Sequence, residues 1–209
     1  MLDMPGQTLS EAFFNTTTSL DHTPCHYAKV VAEQEAWVTY RAPQRWDLVC
    51  INPGRVLGPS PAAGSDSGSL FLLDALMRGL FFYGVPDLSF AKVDVREVAN
   101  AHIAAVKRPS AHGRYIVTSA QMISFLEIPR FLRKVHRRPY LLARLQIPGL
   151  ALRLLGPFFG LSPKYIRNHL GIGFGLDNRR LRQELGVDER PVEQTLHAHY
   201  ASRERQRWA

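Results

Sequence analysis

The chain reads as an α/β fold, a partial parallel sheet covered by helices and followed by a helical lobe. Three observations predict it. Short apolar runs rich in strand formers, WDLVCIN (46–52) and RYIVTS (114–119), carry apolar residues on both faces, as strands buried on both sides require. An amphipathic helix, VREVANAHIAAVKR (95–108), lies between them in the order strand, helix, strand. Beyond Ser119 only helical patterns remain. The expected division is therefore 1–119 for the sheet-bearing part and 120–209 for the helical lobe.

Residues 1–23 are polar and rich in Thr and Ser, and read as loop. Pro24 suits the first turn of a helix. Val30, Val31, Gln34, Trp37 and Val38 then recur at helical spacing, and Pro43 ends the segment. The strand 46–52 is closed by Pro53-Gly54, and residues 53–69, rich in Gly, Pro and Ser, read as loop. SLFLLDALMRGL (69–80) reads as an apolar helix and Phe90 to Val93 as a short strand. In the helix 95–108, Val95, Val98, Ala99, His102, Ile103 and Val106 form the expected buried face, which makes His102 a core histidine. Gly113 turns the chain into the next strand.

In the lobe, SFLEIPRFLRKVHR (124–137) is a helix interrupted by Pro129. The segment 141–161 is apolar, but two arginines and two prolines within a bare span length make it a poor membrane crossing. It reads as packed lobe helices or as a segment lying on a membrane surface. Asp177 caps NRRLRQEL, Gly186 ends it, and Pro191 opens a last helix reaching about Arg203.

The net charge of +8 rests mostly on arginines in the last eighty residues. They are not interleaved with aromatics or set on a recognisable binding motif, so they read as solvated helix faces rather than a nucleic-acid surface. The two cysteines, Cys25 and Cys50, have neither CxxC spacing nor a shared context. That argues against a disulfide framework or a zinc site and fits a reducing compartment. No two histidines stand at ligand spacing with a carboxylate, and no metal is expected. The N-terminal stretch lacks the pattern of a signal peptide, so a cytoplasmic location is expected.

Three stretches taken together resemble the extended short-chain dehydrogenases/reductases of the epimerase/dehydratase superfamily. The branch is that of the dihydroflavonol and cinnamoyl-CoA reductases. CHYAKVVAEQEAW (25–37) resembles the branch's catalytic helix, in which Tyr-x-Tyr-Ser-Lys precedes an Ala-Glu and a later Ala-Trp. DLVCINPGRVLGP (47–59) resembles the strand and loop that pass the nicotinamide, and KVDVREVANAHIAAVKRPSAHGRYIVTS (92–119) the helix and strand after it. The resemblance implies a doubly wound, Rossmann-like sheet with a helical substrate lobe. It also implies NADP or NAD as cofactor and a small-molecule carbonyl or alcohol as substrate. Lys29 matches the lysine that hydrogen-bonds the ribose and lowers the tyrosine's pKa; Pro53, Gly54 and Val56 match residues beside the nicotinamide.

Two departures shape the functional expectation. The family's proton-donating tyrosine stands four residues before the lysine, where this chain has Cys25. Tyr27 matches the family's second tyrosine. Residues four apart share a helix face and residues two apart do not, so Tyr27 is a poor substitute. Cys25 itself, with His26 beside it, is the other candidate donor. The Gly-rich turn that holds the pyrophosphate is not found in the sequence. The expectation is a C-terminal part of such a reductase, truncated and impaired or inactive alone. The alternatives are half of a split enzyme completed by a partner chain, a homo-oligomer, or a non-catalytic binding module.

Overall fold

The computed structural model describes residues 8–21, 23–41, 46–60, 67–156, 166 and 169–207. Among the described residues the strands are β1 (Thr8–Leu9), β2 (Val49–Pro53), β3 (Arg55–Leu57), β4 (Ser89–Phe90), β5 (Lys92–Asp94), β6 (Gly113–Val117), β7 (Ile123–Ser124) and β8 (Gly175–Leu176). The helices are α1 (Pro24–Tyr40), α2 (Gly68–Met77), α3 (Val95–Lys107), α4 (Glu127–Leu132), α5 (Gly149–Leu155), α6 (Arg179–Glu184) and α7 (Val192–Arg207). β2 runs parallel to β6 in the register Val49–Gly113 to Pro53–Val117, and β3 parallel to β5 with Val56 opposite Val93. β1 pairs with β8 in parallel, and β4 with β7 antiparallel. The α/β class with parallel pairing thus stands as the sequence predicts it.

The β2–β3 junction shows why Gly54 is needed. The chain changes partner there: the Gly54 amide donates to the Val117 carbonyl (3.1 Å) and the Arg55 amide to Ala91 (2.6 Å). A Cβ on Gly54 would lie 2.6 Å from the Ala91 oxygen and 3.0 Å from Thr118 Oγ1, so only glycine lets the backbones approach this closely. The short strand β3 stands inside the segment expected to be loop. The strand expected at 90–93 is divided between β4 and β5, which have different partners.

Two cores hold the molecule. One joins Leu57, Leu73 and Leu76 to Ile128, Leu132 and Leu196; the other joins Val93, Ala101, Tyr115 and Val117 to Leu181, Leu185 and Val187. Each takes residues from both sides of Ser119. α6 is docked by the Tyr115 hydroxyl, which donates to Glu184 Oε2 (2.7 Å), and by Arg180, which donates to the Arg114 carbonyl (2.8 Å). Gly186, at φ 63, takes the left-handed turn that ends α6.

Several expectations are corrected. α3 begins and ends close to its predicted bounds, but its buried residues are Glu97 and Ala101, with Val98, Ala104 and Ala105 packed beside them. His102 is exposed, its Nδ1 2.8 Å from the Val98 carbonyl; Ile103 and Val106 are exposed too, the latter 89 %. Small alanines let the helix approach the sheet, and Glu97 stays inside because its Oε1 accepts the Arg190 amide (2.6 Å). Pro129 does not interrupt a helix: α4 starts at Glu127, so the missing amide falls in a first turn where it has no intrahelical partner. α7 extends beyond Arg203 to Arg207. Within 141–161 the described helix is α5 alone, residues 157–161 lying outside the described residues, as does Pro43. Among the described residues no helix is long and apolar enough to cross a membrane.

Candidate active site

α1 is attached to the sheet at its C-terminal half. Glu33 Oε1 accepts from Arg114 Nε (2.6 Å) with both side chains largely buried, and the Trp37 indole donates to the same oxygen (3.4 Å). Arg114 also donates to the carbonyls of Glu11 (2.6 Å) and Phe13 (3.0 Å), and its guanidinium lies 3.9 Å over the Phe14 ring. Arg114 stands opposite Cys50 in the β2–β6 register, so Glu33 fixes one stripe of α1 over the start of β2. Burial pushes the Cys50 thiol up, and the neighbouring Glu33 pushes it further.

Cys25, Lys29 and Glu33 follow one another at four-residue spacing and share that stripe. α1 precedes β2 in the chain, and the tie from Glu33 through Arg114 reaches the strand pair beside Cys50, three residues before Pro53. Carboxyl ends of parallel strands are where α/β proteins bind nucleotides and substrates.

Cys25, His26, Lys29 and Pro53 are exposed and Tyr27 is half-buried. No residue of α1 is fully buried. Thr23, immediately before α1, is held at φ 55, ψ 57, a conformation rare for a β-branched residue. Its carbonyl accepts the amides of His26 (2.9 Å) and Tyr27 (3.1 Å), so the turn that presents Cys25 is tightly wound. Val56 differs from the rest: it packs with Ile51 and Val49 against the second core. The Arg55 guanidinium lies 4.6 Å from the centre of the Phe90 ring.

Sequence reasoning missed a polar network behind these strand ends. Asp94, fully buried, caps α3 by accepting the Arg96 amide (2.8 Å), pairs with the Arg96 guanidinium (2.6 Å) and accepts from Thr195 Oγ1 (2.7 Å). Burial alone would raise the Asp94 carboxyl, but the hydrogen bonds from Arg96 and Thr195 hold it below the ordinary range. The Lys92 ammonium binds Ser119 Oγ and Glu189 (3.0 Å). His199 is buried with Nδ1 2.7 Å from the Gly58 carbonyl, and burial lowers its pKa. The Asp before an α-helix was a readable capping signal; the partners about a hundred residues away were not. Among the described residues no group of three His, Cys, Asp or Glu side chains is placed to hold a metal ion.

Comparison with known proteins bears on this arrangement. Cinnamoyl-CoA reductase 1 of Arabidopsis thaliana is 42 % identical over 95 residues, 45 % of this chain and 26 % of that protein. A ketoreductase of Aspergillus niger is 30 % identical over 173 residues, 79 % of this chain and 46 % of that protein. Over the matched residues the chain is similar to cinnamoyl-CoA reductases and to this ketoreductase. It spans about a quarter to a half of the length of the curated relatives it matches. Among solved structures, the yeast methylglyoxal/isovaleraldehyde reductase complexed with NADPH superposes with a TM-score of 0.74 at 20 % identity, over 99 % of this chain and 60 % of that one. A nucleoside-diphosphate-sugar epimerase from Pseudomonas aeruginosa gives 0.69 at 19 % identity, over 95 % and 61 %. These neighbours share the fold, a Rossmann-like sheet with helices. No family model matches the chain.

Proposed function

We propose that this chain carries the lysine-bearing helix and the strand-end portion of an NAD(P)-dependent oxidoreductase acting on a small carbonyl or alcohol. The observation that carries the reading is the common stripe of Cys25, Lys29 and Glu33, tied through Arg114 to the strand that ends at Pro53. The residues present fit the nicotinamide end of such a cofactor: an exposed ammonium, an exposed strand end, and a glycine across which backbones approach closely. Lys29 would hold the ribose hydroxyls and the Pro53–Gly54 backbone would face the ring, while Val56 supports that segment from the core. The bound cofactor supplies or accepts a hydride. The chain's own part is to orient the carbonyl and to deliver a proton. The helical part, 120–209, supplies the substrate side.

Cys25 sets the limit of the activity. A thiol is shorter than a phenol, so the proton donor's oxygen is missing from the place the resemblance gives it. Turnover by the chain as it stands is therefore impaired. Among the described residues β2 has a strand partner on one side only, and an open edge supports pairing with a further strand-bearing unit.

The test is a titration of the purified chain with NADPH and NADH, read by thermal melting and by reduction of simple aryl aldehydes. The expected result is a saturable upward shift in Tm with little turnover, the shift being lost in Lys29→Ala. A chain whose Tm ignores both cofactors at millimolar concentration would refute the reading and leave a non-catalytic binding module.

A further inference from the structure

A groove between the end of α2, the residues following α4 and the last turns of α7 carries two arginines, Arg78 and Arg138, that pair with none of the described carboxylates. Its volume is about 390 Å³, within the range of small-molecule sites. The floor is apolar, formed by Met77, Leu141 and the ring of Tyr200, of which Met77 and Tyr200 are buried. The rim carries Arg78, Arg137 and Arg138, with Glu204 as its only carboxylate among the described residues. Arg137 Nε stands 3.0 Å from Glu204. Among the described residues the guanidiniums of Arg78 and Arg138 have neither an ion pair nor a hydrogen bond. Among the described residues, three arginines against one carboxylate leave an excess of two positive charges on the rim.

The groove is also held in shape. The Arg137 amide donates to the Tyr200 hydroxyl (3.0 Å), and the Arg138 amide donates to His136 Nδ1 (3.0 Å). The His136 ring lies 5.2 Å from that of Tyr200. With Nδ1 accepting, neutral His136 carries its proton on Nε2 and offers the groove a further donor. Guanidinium forks match the oxygens of a phosphate bidentately, and an apolar floor beneath them matches a hydrophobic body.

We propose that this groove binds a small molecule with an apolar ring or chain and a phosphate monoester head. The phosphate lies against Arg78 and Arg138 and the body against Met77, Leu141 and Tyr200. The site shares no residue with the Lys29–Pro53 arrangement, and the proposal stands independently of it.

The experiment is calorimetric and thermal-shift titration of the full chain with phenyl phosphate, inorganic phosphate and phenol. The wild type is compared with Arg78→Gln and Arg138→Gln, both at exposed positions where the unliganded Tm is expected to hold. Phenyl phosphate is expected to bind saturably and at least tenfold more tightly than inorganic phosphate. Each substitution weakens it about tenfold, a loss of one charge-assisted contact, and phenol gives no shift. Equal binding of phenyl and inorganic phosphate would overturn the apolar-body assignment. Undiminished binding in both variants, or no binding of phenyl phosphate, would overturn the site.

Discussion

Replacing Asp94 by alanine removes one buried carboxylate that three elements share. The Arg96 amide loses its cap, which in comparable helices costs about 1 kcal/mol. Thr195 Oγ1, also buried, loses its 2.7 Å acceptor and keeps only the Pro191 carbonyl at 3.5 Å, a loss of about 1 kcal/mol. The Arg96 guanidinium is 39 % exposed, so water replaces much of its pairing and under ~1 kcal/mol follows from it. Arg190 Nε, buried with no hydrogen-bond partner and 3.8 Å from the same carboxylate, loses its nearest counter-charge. Together the losses come to about 3 kcal/mol, which for a chain of this size lowers Tm by roughly 6–12 °C. Urea denaturation followed by circular dichroism measures it. Arg96→Gln and Thr195→Val are expected to cost about 1 kcal/mol or less each. An Asp94→Ala variant within about 1 kcal/mol of wild type would refute the account of this network as the clamp between α3, β5 and α7.

Other perturbations probe the remaining joints. Gly54→Ala places a methyl against the Ala91 carbonyl at 2.6 Å, and urea midpoints should show a loss of about 2 kcal/mol. Glu33→Gln weakens the tie between α1 and β6, so hydrogen exchange should quicken along α1 while β2 and β6 keep their protection. Burial in the fold disfavours the protonated form of His199, whereas the unfolded chain takes up a proton near the ordinary value of 6.5. Stability is thus full above that pH and falls as pH drops through it. His199→Gln should flatten a plot of Tm against pH in this window, and an unchanged slope would remove His199 as its cause. Cys25→Tyr restores a phenol four residues before Lys29. Turnover of an aryl aldehyde with NADPH should rise by about 10²-fold or more, and no gain would mean the proton donor is not the missing part.

The sequence discloses most where periodicity and punctuation agree. Pro24 and the helical spacing that follows place α1, and Gly186 ends α6 because only a left-handed turn leaves the helix there. β2 and β6 are legible as apolar runs because a strand covered on both faces must be apolar throughout. β3 is not: three residues between two glycines give no period, and their partner β5 lies far along the chain. The face of α3 misleads because Ile103 and Val106 have the hydrophobicity expected of a core, while small size and a buried acceptor put Ala101 and Glu97 inside instead. At the candidate site, Lys29, Cys25 and Pro53 are candidates drawn from local pattern and resemblance. Arg114, which ties the helix to the strand, has its partner 81 residues away and left no local signature.

Cofactor binding by the chain and its Lys29→Ala variant tests the central claim most directly. At ten times its dissociation constant NADPH stabilises a folded protein by about 1.4 kcal/mol, a Tm rise of roughly 3–6 °C for this length. The account predicts that rise in the wild type and its loss in Lys29→Ala, with the unliganded Tm the same in both. An equal rise in both proteins, or no rise in either at millimolar NADPH, would contradict it.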